Sequence, residues 1–148
     1  MLWLQFGARV GAPTKRNPTR ITGELALHLQ CPWRISGPDG IVTGSGDMFV
    51  CADPGVPVSA FDPGRPGNAV ADVRLRAWIG SHAGRPLVVV VADTDRFGGF
   101  HLGLSGGFGL AAFPNRAGGT EDAEHWRLFR PGDDSPHFVA RGRGAAHE

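Results

Sequence analysis

The sequence has no tyrosine, a single lysine (Lys15) and only two cysteines, Cys31 and Cys51, among 148 residues. Nothing in it indicates an oxidising compartment, so buried thiols are favoured over a disulfide. No stretch approaches the about 18 consecutive apolar residues that a membrane-spanning helix needs. The apolar N-terminus lacks the preceding basic region of a signal peptide. These absences predict a cytoplasmic protein without a membrane span.

The charged residues are almost balanced, and 14 of the 15 basic side chains are arginine. Arginine suits bidentate recognition of carboxylate or phosphate groups. Here, however, the arginines are spread along the chain among the 14 acidic residues and form no basic stripe. A nucleic-acid partner is therefore not expected.

Glycine and proline are abundant, with 23 and 12 residues, but they alternate with apolar residues rather than forming polar tracts. This pattern is typical of a turn-rich, β-heavy folded protein. The length suits one domain over residues 1–148, large enough for its own core. The polar residues 142–148 are expected to fray.

The segment 21–35 alternates strictly, with apolar residues at the odd positions, which predicts one strand with a buried face. Pro32 is compatible with an edge strand or a bulge. The turn signal at residues 37–40 predicts a hairpin to a partner strand over 41–50. In that register Ser36 faces Ile41, and the large residues Trp33 and Cys31 face Gly44 and Gly46. One polar face would then gather His28, Gln30, Arg34, Thr43, Ser45 and Asp47.

Three later segments complete the predicted fold. Apolar spacing after Asn68, a candidate N-cap, predicts one helix ending near Gly80. The β-branched run 87–92 predicts a central strand that is buried on both faces. A turn at 105–107 predicts a hairpin in which Gly103 faces Gly109, leaving a trough for the helix or a ligand. The fold class is therefore α+β: a mainly antiparallel, curved sheet of six or seven strands packed on one helix.

Several segments together resemble a group of small uncharacterised proteins from high-GC Gram-positive bacteria. The segments, in one-letter code, are GExALHxQCPWRI (23–35), GGFxLxxSGG (98–107), FP (113–114), EHWRLF (124–129) and HFV (137–139). The resemblance implies no established activity and assigns no catalytic residue. By analogy with other small strand-rich proteins, it implies an immunity-like or accessory role.

The sequence contains no phosphate-binding loop, dinucleotide fingerprint or nucleophile elbow, so no cofactor is predicted. His28 and Cys31 have a spacing that could bind a metal on a helix, but in a strand they point to opposite faces, and no metal site is predicted. Acid–base chemistry remains a candidate, with His28, Arg34 and Asp47 as catalytic residues. An ordinary solvated strand face with cross-strand contacts is the simpler alternative. Candidate binding residues are Glu24, Gln30, Trp33, Gly103, Gly109, His125 and Arg127.

Two functions follow from these candidates. The first is a small cytoplasmic binding or accessory protein that acts through a sheet face or edge on a protein partner; a homodimer is compatible with it. The second is a cofactor-independent enzyme in which a small apolar molecule is held between the sheet, the helix and the proline-rich loop (residues 53–68). The four tryptophans, Trp3, Trp33, Trp78 and Trp126, are assigned to the core, with stacking of one of them on a ligand as the alternative.

Overall fold

The computed structural model describes residues 1–116, 123–142 and 144–147, with ten strands and one α-helix in those ranges. This confirms the α+β class. The elements are β1 (Leu2–Gly11), β2 (Ile21–Leu29), β3 (Trp33–Gly37), β4 (Gly40–Gly44), α1 (Val70–Ser81), β5 (Val89–Thr94), β6 (Phe100–Leu104), β7 (Phe108–Ala112), β8 (Glu124–Phe129), β9 (Phe138–Arg141) and β10 (Gly144–His147). Three short 3-10 helices cover Ser45–Phe49, Val58–Ala60 and Ser105–Gly107.

The strands form two five-stranded antiparallel sheets rather than one sheet of six or seven. The sheet in the order β1-β2-β8-β9-β10 belongs to one compact unit, called here the first unit. The sheet in the order β4-β3-β7-β6-β5 belongs to the second unit. The first unit comprises Met1–Cys31, Asp95–Gly98 and Pro114–Glu148, and the second comprises Pro32–Thr94 and Gly99–Phe113.

The fifteen-residue alternation of the sequence is divided between these sheets. β2 ends at Leu29, and the backbone N–H groups of Gln30 and Cys31 both donate to the carbonyl oxygen of His125, at 2.8 and 3.1 Å. β3 begins immediately after Pro32. The predicted single strand is therefore wrong, because the break at Pro32 separates two strands of different sheets.

The alternation nevertheless identified buried side chains in each unit. Leu27, Leu29 and Cys31 are buried in the first unit, and Trp33 and Ile35 in the second. Trp126 is also buried in the core of the first unit, and its indole N–H donates to the carbonyl oxygen of Gly98 at 2.6 Å.

The hairpin of β3 and β4 turns through Pro38 and Asp39, with Gly37 paired to Gly40. Ser36 faces Ile41 as predicted, but the register shifts between Ile35 and Ser36. Arg34, not Trp33, therefore faces Gly44. β4 ends at Gly44, so the predicted pair of Cys31 with Gly46 does not form.

The hairpin of β6 and β7 has the predicted register, including Gly103 opposite Gly109. Side chains of neighbouring strands cover both glycines. A Cβ atom at position 103 would lie 3.3 Å from Val91 Cγ1 and 3.8 Å from Val90 Cγ2. One at position 109 would lie 2.9 Å from Nε2 of His101. The predicted trough is therefore filled within the sheet.

The helix is close to the predicted span, but its N-cap residue is Ala69. The side-chain amide of Asn68 instead donates to the carbonyl oxygen of Asp62, at 3.2 Å. α1 contacts β4, and its buried residue is Ala71, whereas Val73 is 48% exposed. The predicted N-cap is thus wrong.

The β-branched run predicted as a central strand lies at an edge of the second sheet. β5 pairs only with β6 among the described strands, and all six of its residues are exposed. A continuous β-branched run has the composition of a buried strand. Its position in the sheet is set by pairing with distant segments, which the run itself does not encode.

The predicted frayed tail contains β10, which pairs with β9, while positions 143 and 148 lie outside the described residues. Cys31 is buried and Cys51 is half-buried, and no disulfide joins them. In the described ranges, no helix has the length and apolar character needed to cross a membrane.

Candidate functional site

Three neighbouring strands of the first unit bring their side chains into one row. Trp3 of β1 pairs with His28 of β2, and His28 pairs with Arg127 of β8. Directly paired residues in an antiparallel sheet present their side chains on the same face. The row therefore places an indole, an imidazole and a guanidinium side by side.

Aromatic rings continue this row into a single surface, which we call the aromatic face (Trp3, His28, Phe129 and His137). Trp3 and His28 stack with ring centroids 3.9 Å apart and an interplanar angle of 18°. Phe129 meets His28 edge-on at 4.7 Å and stacks on His137 at 4.8 Å. Such contacts hold rings in fixed orientations and contribute about 1 kcal/mol each beyond area burial.

Trp3 remains 56% exposed although one face of its ring is covered by His28. The alternation of β1 explains this position, because Leu2 is buried while Trp3 and Gln5 are exposed. The assignment of Trp3 to the core was therefore wrong. The same period-two pattern that identified the buried residues of β2 could have placed it outside.

A bidentate ion pair lies beside the aromatic face. Arg127 Nε donates to Glu124 Oε1 at 2.7 Å, and Arg127 Nη2 donates to Glu124 Oε2. Residues three apart in a regular strand point to opposite faces. Here the register of β8 shifts between Glu124 and Trp126, and this bulge brings Glu124 onto the face of Arg127.

Gln30 and His137 complete the polar contacts of the pair. Gln30 Nε2 donates to Glu124 Oε1 at 3.0 Å, and Arg127 Nη1 lies 3.3 Å from Nδ1 of His137. Arginine can only donate, so Nδ1 of His137 is the acceptor in this contact.

Both titratable groups at the centre have shifted pKa values. Burial, followed by the positive charge of Arg127, lowers the pKa of His28 below its ordinary value, and the charge of Glu124 opposes this only in part. The hydrogen bond from Arg127 lowers the pKa of Glu124, although burial opposes that shift. At neutral pH His28 is therefore uncharged and Glu124 ionised.

Several predicted site residues meet at this place. His28, Gln30 and Arg127 contact one another directly or through Glu124. Glu24 lies on the same strand as His28 and accepts a hydrogen bond from Arg130 at 2.7 Å. His125 is buried and contributes its backbone carbonyl oxygen to the end of β2 rather than a side chain to the aromatic face.

The other predicted residues belong to the second unit. Asp47 accepts from the Thr43 hydroxyl at 2.8 Å and from Arg74 at 3.2 Å, and Arg34 is exposed. Trp33 is buried in the core, and Gly103 and Gly109 are covered by Val91 and His101. The predicted single polar face through Thr43 and Asp47 is thus wrong, because Thr43 is fully buried and Asp47 lies in a 3-10 helix.

Phe129 and His137 were not singled out from the sequence. Phe129 lies on the face of Arg127, two positions further along β8, as strand alternation requires. His137 precedes β9 and reaches the aromatic face through its stacking on Phe129. No local sequence pattern identifies His137 as a site residue, since Phe129, on which it stacks, is 8 positions earlier in the chain and belongs to β8.

Two cavities lie in the second unit, and neither contains a histidine. One, of about 360 Å³, is lined by the proline-rich loop and the two residues before it, including Cys51, Asp53 and Arg65. The other, of about 530 Å³, is lined by one side of α1, including Leu75 and Ile79. Among the described side chains, no three His, Cys, Asp or Glu residues are placed to hold a metal ion.

Comparisons with protein-family models, curated proteins and solved structures found no match. The resemblance to small proteins of high-GC Gram-positive bacteria therefore stays a prediction.

Proposed function

We propose that this chain is a small cytoplasmic binding or accessory protein that recognises a protein partner through the aromatic face of its first unit. The observation that carries the proposal is Trp3, which is 56% exposed yet held by stacking on His28. An exposed tryptophan with a fixed ring loses little further conformational entropy when a partner covers it. Tryptophan and arginine are also the residues that most often dominate binding energy at protein interfaces.

The position of the site on a sheet face supports a protein partner. Trp3, His28 and Arg127 lie in one row across three paired strands. A sheet face presents such side chains next to one another, and the cores of protein interfaces likewise set apolar groups among polar ones.

The charge distribution supports the same partner class. His28 is uncharged at neutral pH because its pKa is lowered, and the charge of Arg127 is already compensated by Glu124. Covering the centre therefore does not bury an isolated charge, which would oppose binding. The exposed pair of Glu24 and Arg130 adds polar groups to the same sheet.

Acid–base catalysis at His28 is the second candidate, and the lowered pKa of this residue favours it. A neutral, partly exposed imidazole can accept a proton from a substrate near neutral pH. Asp47, one of its proposed partners, is engaged by Thr43 and Arg74. Within the first unit, Arg127 and Glu124 exert the largest charge effects on His28, so an enzymatic role there would use these two residues.

Affinity capture with the tagged full-length chain, followed by mass spectrometry and calorimetry with the purified partner, tests the proposal. We expect Trp3→Ala to weaken the partner's affinity at least about 30-fold, the loss typical of a binding hot spot. Phe49→Ala is the matched control, since Phe49 is an exposed aromatic residue of the second unit and 73% accessible. Unchanged affinity of the Trp3→Ala variant, with folding verified by circular dichroism, would refute the aromatic face as the binding surface.

A further inference from the structure

The proline-rich loop is closed at its base by backbone hydrogen bonds. The N–H group of Ala52 donates to the carbonyl oxygen of Asn68 at 2.8 Å, and that of Val70 donates to the carbonyl oxygen of Val50 at 2.9 Å. Loops whose ends are joined in this way are packed by their own side chains and often carry a function. The cavity of about 360 Å³ that this loop lines has the volume of a small-molecule site.

Further hydrogen bonds hold the wall of the cavity at Asp53 in place. Its carbonyl oxygen accepts from the thiol of Cys51 and from the N–H group of Val56, both at 3.2 Å. Its Oδ1 accepts from the N–H group of Gly55 at 2.8 Å. Among the described residues, no group donates a hydrogen bond to Oδ2, so half of the carboxylate is available to a ligand.

Arg65 brings a charge of the opposite sign to the same cavity. Its guanidinium can bind a carboxylate through two parallel hydrogen bonds. In the part of the chain that the structure describes, however, neither Arg65 nor Asp53 forms an ion pair. The two side chains are therefore complementary to a ligand that carries both an ammonium group for Asp53 and a carboxylate for Arg65.

The remaining wall of the cavity is partly apolar. Val56 and Ala60 line it together with Asn68. The amide nitrogen of Asn68 donates to the carbonyl oxygen of Asp62 at 3.2 Å, so its amide oxygen remains as an acceptor for an ammonium group. An ammonium group, a carboxylate and a small apolar group occur together in an α-amino acid.

We propose that the cavity of the proline-rich loop binds a free α-amino acid with a small apolar side chain. Arg65 holds the carboxylate of the ligand, Asp53 holds its ammonium group, and the apolar side chain contacts Val56 and Ala60. Because the ends of the loop are already joined, little chain entropy is lost on binding. The site goes beyond the partner-binding function proposed above, since it lies in the second unit and shares no residue with the aromatic face.

Isothermal titration calorimetry of the full-length chain with L-alanine and L-valine, up to about 10 mM, tests the proposal in the range of weak small-ligand affinities. We expect saturable binding of one molecule per chain. N-acetylvaline, which lacks the ammonium group, and valinamide, which lacks the carboxylate, should each bind at least about tenfold more weakly than L-valine, because each loses a charge-assisted hydrogen bond. The absence of saturable binding for both amino acids would overturn the proposal.

Two variants test the assigned charges. Asp53→Asn keeps the acceptor oxygen for Gly55 but removes the negative charge, and it should weaken L-valine binding at least about tenfold. Arg65→Met should weaken it by a similar factor. Asp62→Asn is the matched control, because Asp62 accepts from the N–H group of Gly64 at 2.8 Å in an equivalent turn but does not line the cavity. Binding that neither variant weakens, or that the control weakens equally, would refute the assignment.

The thiol of Cys51 reports where the ligand binds. Cys51 lines the cavity and is half-buried, whereas Cys31 is buried in the other unit. Alkylation by iodoacetamide, followed by mass spectrometry of the peptide that contains Cys51, measures its accessibility. At a concentration that occupies most of the sites, L-valine should slow this alkylation at least about threefold, and Asp53→Asn should abolish the protection at the same concentration. An unchanged alkylation rate in the presence of saturating L-valine would show that the amino acid binds elsewhere.

Discussion

The aromatic face of the first unit and the edge strand of the second both expose large apolar side chains, but they do so in different ways. Trp3 is stacked on His28, and a bidentate ion pair lies beside it. Val90 and Val91 of β5 lie over Gly103 of β6. The first surface offers oriented side chains, and the second offers a backbone edge. We infer that the two surfaces serve different kinds of contact.

A β-bulge underlies each surface. The bulge in β8 moves Glu124 onto the face of Arg127, and the bulge in β5 brings Val90 and Val91 over the same glycine. Each bulge thus gathers two side chains that simple alternation would separate. Breaking the contacts that each bulge creates tests how strongly the two surfaces differ.

The largest effect is expected from Arg127→Met. It leaves the carboxylate of Glu124, which is 10% exposed, with Gln30 as its remaining side-chain partner. A partly buried charge without its partner costs about 2 kcal/mol in the free energy of unfolding, measured by urea denaturation. Adding Glu124→Gln should recover part of this loss.

Arg130→Met provides the matched control, because its partner Glu24 has a side chain that is 46% exposed. An exposed ion pair typically contributes only about 0.2–1 kcal/mol, so this loss should be the smaller of the two. Equal losses for the two arginine variants would show that the Arg127 pair is no more important than a surface contact.

A smaller effect concerns His28. Its ring protons should titrate by NMR with a midpoint below the ordinary histidine value of about 6.5, since burial and Arg127 lower the pKa. Arg127→Met should raise the midpoint only in part, because burial is the larger cause. The unfolded chain then binds more protons than the native one below about pH 6.5, so stability falls as the pH drops through this window. A midpoint above the ordinary value would contradict the neutral centre of the aromatic face.

The smallest effect is expected from Val90→Thr. Val90 is 65% exposed, and the substitution nearly conserves its shape. The free energy of unfolding should change by less than about 0.5 kcal/mol, as for most surface substitutions. A much larger loss in thermal or urea denaturation would show that the β5 valines already pack within one chain.

Local patterns predicted the parts of the fold that local chemistry determines. The hairpin of β6 and β7 has the predicted pairs because the glycines at 106 and 107 adopt positive φ angles in the turn. The buried series from Leu27 to Ile35 follows from period-two alternation. The break at Pro32 was not predicted, because alternation continues through it while the chain enters another sheet.

The candidate site was less predictable than the fold. His28, Gln30 and Arg127 were identified as polar residues on strands, yet their partners Trp3 and His137 come from distant segments. The bulge that brings Glu124 to Arg127 depends on pairing with β9, which no local pattern of β8 encodes. The valine run likewise forms an edge strand rather than a central strand because of strand pairing within the second sheet.

The sequence of the second unit is inserted between segments of the first unit, and this insertion affects the rates at which the strands pair during folding. Gln30 and Glu124 are separated by 94 positions, and the residues of the second unit lie between them. The β3–β4 hairpin closes over the two residues between Gly37 and Gly40. Loop closure over the longer separation costs about 3 kcal/mol more in chain entropy. We therefore expect strand pairing between β2 and β8, and with it the aromatic face, to form more slowly than the β3–β4 hairpin.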